Sequence, residues 1–251
     1  MTNTVERFSN RVENYAKYRP DYPREVLDLF RNEMNLEKSS AVADVGSGTG
    51  LSARLFLENG NTVFGVEPNE AMRKAAEKLL IDFSNFKSVD GSAENTTLPE
   101  SSVDLVIAAQ AFHWFDQEKT RAEFKRILKD QGFAALIWNE RQLDSTPFLR
   151  DYEQFLLKFA TDYEKVRHEN VHGGVLRNFF QKDFVSATFL NVQTHDFEGL
   201  KGRVLSSSYM PSEKDLVFES MIAELESLFA KYSENGKIQI LYDTKVHYSQ
   251  F

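Results

Sequence analysis

"VADVGSGTG", Val42 to Gly50, sets three glycines within five residues directly behind a short apolar run. The whole chain of 251 residues holds only 12 glycines, so the cluster is a local feature and not a compositional trend. Glycines at 46, 48 and 50 leave a turn almost without side chains. Such a turn lets something large and flat approach the backbone. "AVADV" (41–45) reads as a strand running into that turn, and "SARLFLENG" (52–60) reads as a helix stopped by Gly60.

The same alternation continues outward. "TVFGVE" (62–67) is a strand, and "NEAMRKAAEKLL" (69–80) is a helix with Asn69 as its N-cap. "FKSVD" (86–90) and "SVDLVIAAQ" (102–110) read as strands. "DQEKTRAEFKRILK" (116–129) is a helix opened by Asp116, and "GFAALIWN" (132–139) is a further strand. Strands separated by helices imply parallel pairing through right-handed crossovers. The expected core is a doubly wound α/β sheet.

The flanks differ. Residues 11–34 read as two helices broken at "RPDYP" by Pro20 and Pro23. Residues 146–166 read as a charged helix, 186–197 as a strand and 213–232 as a long amphipathic helix. In "IQILYDTKVHYSQF" (238–251), Ile238, Ile240, Tyr242, Thr244, Val246 and Tyr248 hold alternate positions, the period of an antiparallel strand. No linker rich in Pro, Gly or Ser separates two domains. The expectation is a single domain over 1–251, with a core of 38–140 and 183–251 and a helical cap from 1–37 and 141–182.

Composition narrows the function. A formal net charge of −8 gives no general attraction to phosphate backbones, which argues against nucleic acid. Hydrophobic residues make up 41% and phenylalanine alone contributes 21 residues, enough for a large core. The absence of cysteine excludes disulfides, thiol catalysis and cysteine-held metals. "MTNTVERFSN" lacks the apolar stretch of a signal peptide, and no apolar run is long enough to span a bilayer. The expected setting is cytoplasmic, without membrane association.

Glycine turns serve several ligands. A dinucleotide fingerprint, G-x-G-x-x-G, would need glycine where Leu51 stands, and a P-loop would need a lysine that is missing. The pattern here is G-x-G-x-G. Glu67 closes the following strand. In a doubly wound sheet both points lie at the carboxyl edge by the switch point. A carboxylate there can accept from both hydroxyls of a ribose. A retained ribose acid without the pyrophosphate glycine suggests an adenosyl ligand that carries no phosphates.

"VADVGSGTG", "FGVEPNEAM", "DGSAENTTLP" and "DLVIAAQAFHWFD" together resemble the successive motifs of the class I S-adenosylmethionine-dependent methyltransferases. The resemblance covers about residues 38–140. "FSNRVENYAKYRPDYP", "IWNER" and "GRVLSSSYMP" are similar to a small-molecule branch related to trans-aconitate methyltransferase. It implies a seven-stranded, mostly parallel Rossmann-like sheet with an antiparallel C-terminal strand and a helical lid. It implies S-adenosyl-L-methionine as cofactor. Asp44 would orient the turn, and Gly46, Ser47, Gly48 and Gly50 would lie along the cofactor. Glu67 would hold the ribose, with Pro68 and Asn69 beside the adenine and Ser92, Ala93 and Glu94 at its edge. Gln110 would meet the methionine end. Phe112, His113 and Trp114 would line the space toward the acceptor. Tyr15, Tyr18 and Arg19 would come from the N-terminal segment, with Arg19 a candidate for the cofactor carboxylate.

Methyl transfer needs no catalytic triad, because the sulfonium methyl is already activated. Positioning supplies much of the rate. A carboxylate acceptor needs no base, whereas a phenol or amine can use one. His113 is the candidate base if one acts. The acceptor is expected to be a small anion, with Arg141 gripping it and Ser207, Ser208 and Tyr209 adding neutral hydrogen bonds. The rival for Arg141 is a surface pair with Glu140 or Asp144. "HENVH" (168–172) matches a zinc-peptidase pattern, but Gly173 and Gly174 would stop the helix at its second ligand, so no metal is expected. The alternatives in other classes are a non-catalytic cofactor-binding partner protein and a NAD-dependent oxidoreductase.

Overall fold

The computed structural model describes residues 17–161, 173–207 and 209–251. The chain divides into two compact units. One comprises Asp21–Asn139, His168–Phe189 and Thr244–Phe251 and carries the glycine turn. The other comprises Met1–Pro20, Glu140–Arg167 and Leu190–Asp243.

In chain order the elements are α1 (Glu25–Met34), β1 (Ala41–Val45), α2 (Leu51–Asn59), β2 (Thr62–Val66), α3 (Glu70–Leu79), β3 (Phe86–Val89), β4 (Val103–Ala109), α4 (Gln117–Ile127) and β5 (Leu128–Arg141). They continue as α5 (Pro147–Phe159), α6 (Gly173–Phe180), β6 (Val185–His195), α7 (Phe197–Leu205), α8 (Phe218–Tyr232) and β7 (Ile238–Gln250). A 3-10 turn, Phe112–Trp114, follows β4. The seven strands form one sheet in the order β3-β2-β1-β4-β5-β7-β6. β1 pairs in parallel with both β2 and β4, so the winding reverses between β1 and β4. That reversal opens a crevice at the carboxyl ends of the two strands. β7 runs antiparallel to β5: the Phe251 N–H donates to the Gly132 carbonyl and the Gln142 N–H to the Leu241 carbonyl.

Local chemistry sets these elements as the sequence suggests. Asn69 caps α3 by accepting from the Ala71 and Met72 N–H groups, and Asp116 caps α4 by accepting from Lys119 N–H. Gly60 ends α2 in the left-handed region at φ 101°. β7 buries Ile238, Ile240, Tyr242, Thr244, Val246 and Tyr248, the alternate set. The central parallel strands β1 and β4 are buried along nearly their whole length, as helix-covered strands must be, whereas the edge strand β3 exposes Lys87 and Ser88. One core places Phe30 and Phe56 against Val42, Leu105 and Ile107, and a second packs Phe112, Phe124, Phe179 and Phe180 against Val106 and Trp138. In the other unit, Phe148, Tyr152 and Phe155 of α5 pack with Met221 and Leu225 of α8 and with Tyr242.

Three expectations shift. β5 begins at Leu128, directly behind α4, and not at residue 132. Leu128 pairs with Val103, then the register slips so that Leu105 faces Phe133, with Gln131 at φ 66° absorbing the extra residues. Gly173 and Gly174 are themselves helical, within α6. "HENVH" itself and Tyr15 lie outside the described residues. The long helix starts at Phe218, because residues 213–217 are spent on turns in which the Ser212 N–H and hydroxyl donate to Asp215. Among the described residues, no helix is long and apolar enough to cross a membrane.

Candidate cofactor site

The three glycines of the turn answer to different demands. All three have positive φ: 72° at Gly46, 55° at Gly48 and 84° at Gly50. A Cβ on Gly46 would meet the Ala111 Cβ at 2.6 Å and the Phe115 ring at 3.1 Å. One on Gly50 would meet Leu80 Cδ1 at 2.6 Å. These two glycines let the turn lie against the 3-10 segment and α3. A Cβ on Gly48 would meet nothing within 4 Å. Gly48 alone faces open space, and that is where a ligand has access to the backbone.

The turn is tied to the end of β2. The Gly46 and Ser47 N–H groups both donate to the Val66 carbonyl, at 2.8 and 3.2 Å. Glu67 Oε2 accepts from Gly48 N–H at 3.0 Å and Oε1 from Asn69 N–H at 2.9 Å. Each carboxylate oxygen can take two hydrogen bonds, so each keeps one acceptor position. Burial raises the Glu67 pKa, with the two N–H donors and Arg73 opposing. Arg73 donates to the Glu67 carbonyl at 2.7 Å, and Asn69 is buried. Beneath the turn, Asp44 has no exposed surface and accepts the Ser52 hydroxyl at 2.6 Å. Burial pushes its pKa up to about 7, and the Glu67 charge adds to the rise. Asp44 therefore shapes the turn from below, as a strut between β1 and α2.

Across the crevice, Gln110 follows β4 with φ 58°, a conformation unusual for a residue other than glycine. Its N–H donates to the Ile137 carbonyl at 2.9 Å and its Nε2 to the Asn139 carbonyl at 3.1 Å. Its Oε1 is buried with no hydrogen-bond partner. Strain and an unmet acceptor together mark a position held for something besides packing.

The "FHWF" stretch separates into different roles. Phe112 has no exposed surface and stacks edge-on against Phe179, centroids 4.6 Å apart, and against Trp138. Its expected place along the cofactor gives way to core packing. Trp114 is 43% exposed and lies 4.7 Å from the His113 ring. Desolvation lowers the His113 pKa to about 4. His113 is neutral at physiological pH and a weak proton acceptor.

The loop after β3 is stapled from behind. Ser92 and Asn95 exchange backbone hydrogen bonds, and Glu123 accepts from both the N–H and the hydroxyl of Thr96. Ala93 is buried and Ser92 half-buried. Glu94 turns one carboxylate oxygen to the Asp116 N–H at 3.0 Å, at the start of α4. Pro68 bridges Glu67 and the Asn69 cap.

The remaining expected residues belong to the other unit. The Tyr18 ring lies on Gly202, where a Cβ would come within 2.2 Å of it, and the Tyr18 carbonyl accepts from Gln193 Nε2 at 3.2 Å. Arg19 Nη2 donates to the Ser206 carbonyl at 3.3 Å. Tyr209 is partly buried, and its carbonyl accepts the Thr161 N–H at 3.0 Å. Arg141 is corrected: it forms an ion pair with Glu153, both side chains only 9% exposed, with its guanidinium 5.2 Å from the Tyr152 ring centre. The pair is internal and engages the guanidinium, so Arg141 is not an open grip for an anion. Sequence reasoning passed over Arg203. Leu200 and Val204 are core positions of α7, and Arg203 falls on the same face. A charged residue on an apolar stripe was the available signal.

Residues 43–136 match the methyltransferase domain family. An uncharacterized methyltransferase of Schizosaccharomyces pombe is 30% identical over 226 residues, 88% of this chain and 86% of the relative. An uncharacterized methyltransferase of Mycobacterium bovis is 33% identical over 134 residues, covering 53% of this chain and 52% of its own. Among solved structures, a protein from Anabaena variabilis, provisionally assigned as a methyltransferase of an antibiotic biosynthesis pathway, is 26% identical with a TM-score of 0.63 over 94% of this chain and 100% of its own. A protein from Anaeromyxobacter dehalogenans, provisionally assigned as a type II methyltransferase, shares the fold at 21% identity and a TM-score of 0.72, covering 93% of this chain and 98% of its own. The motifs, the sheet order and these relatives converge, and the chain belongs to the class I S-adenosylmethionine-dependent methyltransferases.

Proposed function

We propose that the protein transfers a methyl group to a small-molecule acceptor that carries a carboxylate, in the manner of the branch related to trans-aconitate methyltransferase. The observation that carries the cofactor side is the pairing of Gly48, open to space, with Glu67, whose carboxylate keeps one acceptor position on each oxygen. The residues present suit S-adenosylmethionine. Glu67 would accept from the ribose hydroxyls, Gly48 leaves room for the cofactor to lie on the turn, and the unmet Gln110 Oε1 would accept from a donor at the methionine end. When bound, that cofactor supplies a methyl group already activated on a sulfonium.

The chain's own contribution is positioning and exclusion of water. A carboxylate acceptor is ionised at neutral pH and has no proton to lose. His113, with its pKa near 4, is poorly suited to deprotonate an amine or phenol but well suited to stay neutral beside a cationic sulfonium. That favours the carboxylate over acceptors needing a general base. The test is turnover of S-adenosylmethionine to S-adenosylhomocysteine, followed by chromatography across a panel of small carboxylic acids, phenols and amines. Turnover with carboxylic acids supports the reading. Turnover confined to amines or phenols overturns the acceptor class, and cofactor binding without turnover favours a non-catalytic partner protein.

A further inference from the structure

We propose that Arg203 is the centre of an anion-binding site whose ligand is a small carboxylate. It rests on the proposed function for the ligand's chemical class alone, a small carboxylate, and concerns only the unit that contains Leu190–Asp243.

Arg203 lies in the last turn of α7 and is 7% exposed. Among the described residues, its guanidinium bonds only to neutral oxygens. Nε donates to the Tyr242 hydroxyl at 3.0 Å, and Nη1 to Ser207 Oγ at 3.1 Å and, at a marginal 3.5 Å, to Ser206 Oγ. The Tyr242 hydroxyl passes its own proton to Gln193 Oε1 at 3.0 Å, which fixes the tyrosine as an acceptor toward Arg203. Among the described residues, Nη2 makes no hydrogen bond.

Among the described residues, no carboxylate hydrogen-bonds to or ion-pairs with Arg203. Tyr152 senses two guanidinium groups, Arg203 and Arg141. Glu153 is the acid bonded to Arg141. His195, 9% exposed, also senses the Arg203 charge, which together with burial lowers its pKa and keeps it neutral. Asp196 is engaged as the N-cap of α7, accepting the Gly199 N–H at 2.8 Å. The carbonyl end of α7 offers roughly half a negative charge, which softens but does not cancel a full one. A buried, permanently charged group bonded to neutral oxygens alone is costly. Such a cost is carried where a ligand supplies the missing charge. A monoanionic carboxylate cancels one guanidinium, whereas a phosphate dianion would leave an excess charge in the same closed setting. The open Nη2 edge offers the N–H groups that a carboxylate oxygen takes.

The test uses benzoate and its neutral isostere benzamide, titrated calorimetrically into the full-length protein with and without S-adenosylhomocysteine. The proteins are the wild type, Arg203→Gln, Arg203→Lys and the exposed-site control Arg24→Gln. Benzoate should bind the wild type and the control, bind Arg203→Gln at least about tenfold more weakly, and bind Arg203→Lys at an intermediate level. Benzamide should compete poorly. The proposal is wrong if benzoate and benzamide bind alike, if benzoate binds Arg203→Gln as it binds the wild type, or if the wild type takes up no benzoate. The wild-type comparison of the two probes stands even if Arg203→Gln folds badly. S-adenosylhomocysteine affinity separates the two readings: its loss in the wild type would sink the methyltransferase reading, while the benzoate titration still decides the site at Arg203.

Discussion

Replacing Glu67 with glutamine probes the cofactor reading at its centre. In the wild type each carboxylate oxygen accepts one backbone N–H, from Gly48 at 3.0 Å and Asn69 at 2.9 Å, and keeps one position for a ribose hydroxyl. Glutamine retains one such oxygen. Its amide nitrogen would face a backbone donor, so one N–H and one hydroxyl lose their acceptor, and the surviving hydroxyl bond loses its charge. A hydrogen bond to a charged group is worth about 1.5–3 kcal/mol and a neutral one about 1. The cofactor should therefore lose about 2–4 kcal/mol, a weakening of roughly 30- to 1,000-fold. Folding should suffer little, because burial already disfavours the Glu67 charge and the neutral side chain removes that penalty. Calorimetry with S-adenosylhomocysteine, paired with a thermal melt, measures both terms. Affinity within about threefold of wild type, at an unchanged melting temperature, would refute the ribose assignment.

Other substitutions separate the roles of neighbouring residues. Gly46→Ala places a methyl 2.6 Å from Ala111 at positive φ and should destabilise the fold by about 2–4 kcal/mol in chemical denaturation. Gly48→Ala meets no atom of the described residues within 4 Å, so it should cost only about 1–2 kcal/mol of stability yet weaken cofactor binding measured in the same samples. The Asp44 pKa is raised in the folded state, so its contribution to stability is full below about pH 4 and is lost as pH rises through about 7. Asp44→Asn should flatten the fall in melting temperature over that window. His113 has the opposite sign: its contribution is full above about pH 6.5 and is lost as pH falls through about 4. A pH–rate profile for a carboxylate acceptor should accordingly show no His113 inflection between about pH 6 and 8, and His113→Asn should lower kcat by less than about tenfold.

Much of the sheet was legible because its causes are local. Asn69 and Asp116 declare helix starts by their own side chains, and the alternate residues of 238–248 carry their burial in their spacing. The meeting of the glycine turn with Glu67 was readable because the turn and the strand end sit within a short span. What escaped depends on distant partners. Arg141 could not reveal that Glu153, a turn and a helix away, would take its charge. The start of β5 hid behind "KDQG", which reads as a loop, because only pairing with Val103 brings Leu128 into the sheet. The glycine pair at 173–174 looked like a stop because helix propensity alone disfavours it, yet Leu176, Phe179 and Phe180 bury enough surface to hold α6. Gln110 gave no sign of its left-handed backbone, and Phe112 gave none of the aromatic cluster that claims it.

The most direct test of the central claim is the chemical form of the transferred methyl. The protein is incubated with methyl-labelled S-adenosylmethionine and small carboxylic acids, and the product is treated with mild base in a vapour-transfer assay for methanol. Methyl esters release labelled methanol, whereas methylated amines and ethers do not. The account predicts base-labile counts that depend on the carboxylic acid and fall in Glu67→Gln. Label that stays base-stable, or no transfer from the cofactor to any acceptor, would contradict it.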